Sequence, residues 1–129
     1  MEEKHFPEWM KLKEKLHFSK SRPSVSEGDI WWCSCGENVG VEINGKNELF
    51  SRPVFVYKKV GRLSFFGIPL TSQIKTGDWY VNFLIHGKVE TAILSQMRMF
   101  SILRLSNKFG QLEPVEIERI KKRVLRFLQ

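Results

Sequence analysis

The sequence predicts a mainly β chain with helices added, an α+β arrangement in which a small, strongly bent sheet or partly open barrel is covered at one opening by a C-terminal helix. Three observations carry this expectation. From Asp29 to Leu112 the apolar residues fall in short runs bounded by glycines and turn residues, the pattern of short strands joined by tight turns. From Pro114 onward the apolar spacing changes to a helical period. A chain of 129 residues suffices for one domain with a core of its own.

Residues 7–18 are expected to form an extra N-terminal helix. Pro7 suits a first helical turn, and Trp9, Leu12 and Leu16 make one apolar stripe. Residues 19–28, with Pro23 and several serines, read as a linker. Residues 1–26 are therefore an N-terminal helical extension and linker, and residues 27–129 the main domain. An aromatic strand is expected over 30–35, between Gly28 and Gly36. Residues 37–51 are long and polar, either a short hairpin at Asn44-Gly45 or a mobile loop. Strands follow over 53–60 and 63–68 with a turn at Gly61-Arg62, over 79–85 and 89–94 around His86-Gly87-Lys88, and over 97–102. Residues 104–112 read as a turn region with a short last strand. In the closing helix, Ile117, Ile120, Val124 and Phe127 or Leu128 form the apolar stripe. Pro114 sits near its first turn, and Glu113, Glu116 and Arg126 suit the two ends of the helix dipole.

The chain is 42% hydrophobic and 27% charged, an ordinary globular composition. It contains no apolar run of about 18 residues, so no membrane-spanning helix is expected. The start, Met1-Glu2-Glu3-Lys4-His5, lacks the basic-then-apolar pattern of a signal peptide, and the expected location is cytoplasmic. The net charge is +7. Between Ile43 and Leu112 lie ten Lys/Arg and three acids, so the whole excess sits in the part that reads as sheet. A concentrated basic face favours a polyanion or an acidic partner. Cys33 and Cys35 lie two apart on a strand, on one face and too near in sequence for an ordinary disulfide, so two small buried thiols are expected. The histidines, His5, His17 and His86, are scattered, and neither a metal site nor a cofactor is expected.

The residues that carry chemistry lie in Phe50-Ser51-Arg52-Pro53-Val54-Phe55-Val56 and Gly67-Ile68-Pro69-Leu70-Thr71-Ser72. Arg52 stands at the mouth of an apolar strand. Thr71 and Ser72 stand just past the end of the next. This presents a fixed cation and two hydroxyls at the rim of a small sheet, where a phosphodiester fits. The arginine fork donates two hydrogen bonds to phosphate oxygens, and Pro53 restricts Arg52 towards extended backbone. Taken singly, an arginine before proline is a surface strand residue and Thr-Ser after Pro-Leu is a turn. Trp31, Trp32 and Trp79 serve either as stacking platforms for bases or as core.

The order of motifs is more specific than any one of them. Gly28-Asp29-Ile30-Trp31-Trp32 opens the domain. Gly40-Val41-Glu42 and Gly45 follow, then Arg52-Pro53-Val54, Pro69-Leu70-Thr71-Ser72 and Leu94-Ser95-Gln96-Met97-Arg98. Arg104-Leu105, Gly110 and Leu112 precede the closing helix. In this order the chain resembles the MazF/PemK family of bacterial toxins. The resemblance implies the SH3-like, partly open barrel shared with CcdB toxins, and a homodimer with RNA across the shared face. It implies metal-independent, sequence-selective cleavage of single-stranded RNA through attack of the 2′-OH, leaving 2′,3′-cyclic phosphate and 5′-OH ends. It also implies silencing by an antitoxin whose acidic tail covers the groove, and DNA binding jointly with that antitoxin.

The family's catalytic arginine and threonine fall on Arg52 and Thr71. Supporting or substrate-binding roles fall to Glu42, Ser72, Lys75, Gln96 and Arg98: Glu42 to orient Arg52 or a base, Gln96 to read a base edge, Lys75 and Arg98 to hold flanking phosphates. Residues 1–26 have no counterpart in the minimal family pattern. The loop after Gly40 reads Val-Glu-Ile-Asn-Gly where Ser-Glu-Gln-x-Gly is commoner, so the cleavage sequence does not transfer. Two other functions stay open at this point: a protein-binding poison of the CcdB type, and an inactive RNA-binding module.

Overall fold

The computed structural model describes residues 23–35 and 51–128, together with Glu8 and Met10. The helix expected over 7–18 and the loop over 37–51 therefore lie mostly outside the described residues, as does Glu42. The described chain runs β1 (Asp29–Ser34), β2 (Ser51–Val60), β3 (Ser64–Thr71), β4 (Tyr80–Ile85), β5 (Lys88–Ile93), β6 (Arg98–Ser101), β7 (Leu105–Gln111) and the helix α1 (Pro114–Phe127). Short 3-10 turns at Leu94–Gln96 and Ile102–Arg104 flank β6. All described pairings are antiparallel, in the order β4-β5-β3-β2-β1-β7, with β6 also on β3.

The bend that the short strands predict is built into β3. Its first half, Ser64 to Gly67, pairs with β6, and its last two residues, Leu70 and Thr71, pair with β5. One strand thus belongs to two parts of the sheet, and Pro69 sits in the changeover between partners. A Cβ on Gly67 would lie 2.6 Å from Val54 Cγ1 and 2.8 Å from Phe100 Cδ2. Glycine lets β3 close on both neighbours where any other residue would force the sheet apart. The β4–β5 hairpin closes on two residues, His86 (φ 52°) and Gly87 (φ 74°), as its two-residue turn requires.

Two expectations needed adjustment. The third strand continues past Ile68 to Thr71, because Pro69 falls where the strand changes partner and does not break it. Residues 105–111 are a full strand, paired with β1 along its length with two register shifts. It was hard to read because Ser106, Asn107 and Lys108 are all exposed, so an edge strand shows no alternation.

Alternation along β1, β2 and β3 divides the apolar residues between two faces. One cluster holds Ile30, Phe55, Ile68 and Leu70 and is covered by Ile120 and Val124 of α1, with Ile117 and Phe127 packed at its margin. Burying Ile120 and Val124 contributes about 1.5–3 kcal/mol each, which suffices to dock the helix. The stripe ends at Phe127, on which Trp79 stacks with ring centroids 3.9 Å apart, whereas Leu128 is exposed. The second cluster holds Trp31, Cys33, Cys35, Val54, Val56, Phe65 and Phe100. Both thiols are buried in it, and the Cys35 Sγ donates to the Cys33 carbonyl at 3.5 Å. Among the described residues no helix is long and apolar enough to cross a membrane.

Candidate active site

Arg52 is the second residue of β2, at the mouth of the strand as expected, yet it is not a surface residue. It pairs with Cys33 of β1 and is only 9% exposed. Its Nη1 donates to the Leu70 carbonyl of β3 at 3.0 Å. A cation held this deep is costly unless its donors are satisfied. The main-chain carbonyl meets part of that demand and fixes the direction of the guanidinium. Burial pulls Arg52 down from its ordinary value, while Cys35 and Glu90 pull it back up. The guanidinium stays charged because its usual pKa is so high.

The register Val54↔Pro69, carried two residues further, brings Thr71 alongside Arg52. Thr71 is buried, and its Oγ1 accepts a hydrogen bond from the Gln73 N–H at 3.2 Å. An oxygen that accepts there keeps its own proton to donate. Arg52 and Thr71 line one cavity of about 150 Å³, with Ser72 at its edge. The same cavity is walled by Trp32 and Phe109, set edge to face at 5.6 Å, and receives Glu90 from β5. A cation, a hydroxyl donor, a carboxylate and two aromatic walls thus meet in a space the size of a single small ligand group.

Of the other expected residues, Lys75, Gln96 and Arg98 do not line this cavity. Lys75 lies in the segment after Thr71, where its carbonyl accepts from Asn82 Nδ2 at 3.3 Å. Asn82 in turn accepts from the Thr91 hydroxyl, and Thr91 is the register partner of Thr71. The segment is thereby tied to the strand beside the site. Gln96 ends the first 3-10 turn. Arg98 in β6 lies over the Phe100 ring, 4.8 Å from its centroid. Beside it, hydrogen bonding to Cys33 holds the Cys35 thiol below its ordinary value, helped by the charges of Arg98, Arg52 and Arg104. Among the described residues no three His, Cys, Asp or Glu side chains gather as a metal site would require.

The tryptophans separate by role. Trp31 is core, Trp79 stacks on α1, and Trp32 alone of the three lines the cavity. Sequence reasoning missed Glu90 and Phe109. Glu90 did leave a signal, a single carboxylate within the apolar run 89–94 of a strongly basic region. Phe109 left none, because its strand carries no readable alternation.

Fold and site together define a small, bent antiparallel sheet closed by a helix, with a buried arginine and a threonine hydroxyl on one cavity, and comparison with known proteins fixes its family. The family model for the PemK-like, MazF-like toxin of type II toxin-antitoxin systems matches residues 26–128. The chain belongs to this family and is the toxin component of a toxin-antitoxin system. Among solved structures it is similar to MazF from Deinococcus radiodurans, with a TM-score of 0.68 at 17% identity, covering 82% of this chain and 97% of that one. It is also similar to an endoribonuclease in complex with its cognate antitoxin from a Mycobacterial species, with a TM-score of 0.64 at 13% identity over 81% of this chain and 95% of that one. A further Mycobacterial endoribonuclease gives a TM-score of 0.62 at 12% identity, over 84% and 92% of the two chains. At these identities the likeness establishes the fold. A search of curated proteins found no match.

Proposed function

We propose that this toxin is a metal-independent, sequence-selective endoribonuclease that cleaves single-stranded RNA by attack of the 2′-OH on the adjacent phosphorus. The observation that carries the reading is the pairing of Arg52, anchored on the Leu70 carbonyl, with Thr71 on one small cavity. RNA brings its own nucleophile, so the protein has to orient the attack and stabilise charge on the phosphoryl oxygens. Arg52 does the second with a preorganised fork. Thr71 donates its hydroxyl proton to a phosphoryl oxygen or positions the 2′-OH, with Ser72 supporting it. Trp32 and Phe109 offer faces for a flanking base. Lys75 and Arg98 hold neighbouring phosphates, Gln96 reads a base edge, and Glu42 orients Arg52 or a base. Residues 27–129 form the toxin domain, with 1–26 as an added extension. The active form is a cytoplasmic homodimer, silenced by an antitoxin whose acidic tail competes with RNA for the same groove. Two of the similar structures are described as endoribonucleases, one with its cognate antitoxin bound, which supports both activity and partner.

The test is to incubate the purified toxin with a pool of single-stranded RNAs in excess chelator and map the ends. Cyclic phosphate and 5′-OH ends, lost in Arg52→Ala, are the expected result. Intact RNA from a folded, antitoxin-free protein would overturn the reading.

A further inference from the structure

We propose that His86, at the tip of the β4–β5 hairpin, is a positioning residue that holds Phe109 as the stacking surface for the nucleobase beside the phosphate on Arg52. This rests on the ribonuclease reading above and names what grips the base there. The cavity has two unlike sides. Arg52, Thr71 and Ser72 bring a charge and hydroxyls suited to a phosphate, whereas Trp32 and Phe109 bring aromatic surface. The two rings stand 74° apart with centroids at 5.6 Å. A flat base laid on one ring meets the edge of the other, so the corner holds a base by its face.

Phe109 needs support to act as such a wall. It lies on β7, which has one described strand partner, and it is only half-buried. His86 supplies the support: its ring stacks on Phe109, with centroids 5.1 Å and planes 27° apart. Three rings from β1, β7 and the hairpin tip thus form one connected group that ends in the cavity. With His86 against one face, the plane of Phe109 is set before a substrate arrives, which lowers the ordering cost of binding.

Two features show that the contact is built into the fold. His86 has φ 52° and is followed by Gly87 at φ 74°. A two-residue turn of this kind favours asparagine, aspartate or glycine at its first position, so the backbone alone does not call for an imidazole. Across from it, a Cβ on Gly110 would lie 3.0 Å from His86 Nε2 and 2.9 Å from Ile85 Cδ1. Glycine at 110 lets the hairpin tip close on β7. The His86 residue itself is exposed, so it adds little to the core, and the ring it touches is a wall of the cavity.

The experiment measures kcat/KM on one mapped RNA, and on versions made abasic at one position at a time around the cleaved bond. It compares wild type, Phe109→Ala, His86→Asn and His86→Phe, with folding checked by thermal melting. Asparagine suits the turn and lacks the ring. In wild type, one abasic position is expected to cost about 5–150-fold, the worth of one stacked base. Phe109→Ala should cost as much on the intact RNA and nothing further on that abasic one. His86→Asn should lower kcat/KM on the intact RNA by about 2–12-fold, the worth of one aromatic pair, through KM rather than kcat. It should leave the abasic RNA unaffected, and His86→Phe should restore the wild-type value. Equal losses of His86→Asn on intact and abasic RNAs would show a merely structural role and overturn the proposal. So would a wild-type kcat/KM in His86→Asn, or a folded His86→Phe that fails to restore it. If His86→Phe does not fold, the contrast between intact and abasic RNA in His86→Asn decides. Affinity for 2′-deoxy oligonucleotides, which cannot be cut, with and without abasic positions, carries the same contrast. A wild-type protein that leaves RNA intact would therefore refute the ribonuclease reading, while that affinity contrast still decides the role of His86.

Discussion

At one end of β2, Arg52 is 9% exposed, paired with Cys33 and bonded to the Leu70 carbonyl. At the other end, Lys58 and Lys59 are exposed, and the Lys58 side chain is 65% exposed, 3.9 Å from Glu27. In sequence all three are basic residues on one apolar strand. In the fold they differ in everything that gives a charge its effect. Water screens the lysines, so their ion pair is worth little. Arg52 sits where the dielectric is low, its direction is set by a main-chain acceptor, and its charge acts at close range on whatever enters the cavity. A charge becomes part of a site when the fold has taken it partly out of water and supplied partners that hold it there.

The sharpest way to break this comparison is Arg52→Lys, which keeps the charge and removes the fork. A lysine cannot hold the Leu70 carbonyl and a phosphate in the same planar geometry. Cleavage is expected to fall by about 10²–10³-fold, measured as kcat/KM on a defined RNA. Near wild-type cleavage would mean that position and fork are irrelevant and only positive charge matters.

The next effect reads burial at the Arg52 end through its strand partner. Burial first, then Cys35, pushes the Cys33 thiol above its ordinary value. Above about pH 8.5 the unfolded chain loses that proton and the folded chain keeps it, so stability falls as pH rises, by at most about 1.4 kcal/mol per pH unit. Cys35 is shifted the opposite way, so its contribution grows with pH and is complete by about pH 8.5. Urea midpoints between pH 8.5 and 10 should decline in wild type and flatten in Cys33→Ala. Parallel declines in the two proteins would contradict the assignment.

The smallest effect belongs to the exposed end. Lys58→Ala removes a screened ion pair and leaves the Lys59 N–H bonded to Glu27 at 2.9 Å. Stability should change by no more than about 0.5 kcal/mol and cleavage by less than threefold. A large loss of cleavage would put the exposed lysines on the RNA path and erase the contrast with Arg52.

How much of this was legible depends on how local each signal is. The α1 stripe and its Pro114 start and the strands around Gly61 and His86-Gly87 were readable, because each rests on spacing within a few residues; Arg52 and Thr71 were singled out by the ordered set of motifs, and only the β2–β3 register sets them side by side. The length of β3 was misjudged because whether Pro69 ends a strand depends on which neighbour pairs with it. β7 was under-read because an edge strand with one partner shows no burial alternation. The tryptophans were left open, since a stacking platform and a core residue have the same side chain.

By itself, the sequence determined the order of elements, the family and the basic balance. These follow from chain-local patterns and from an ordered set of motifs. Only the tertiary structure decided that Arg52 is buried on a carbonyl and that Glu90 lines the same cavity. It likewise decided that Trp32 rather than Trp31 or Trp79 walls the site. Those facts depend on strand register: residues 52 and 71 become neighbours, and the cavity they line gains residue 90, only when β2, β3 and β5 pair, and a shift of one residue would turn each side chain to the opposite face.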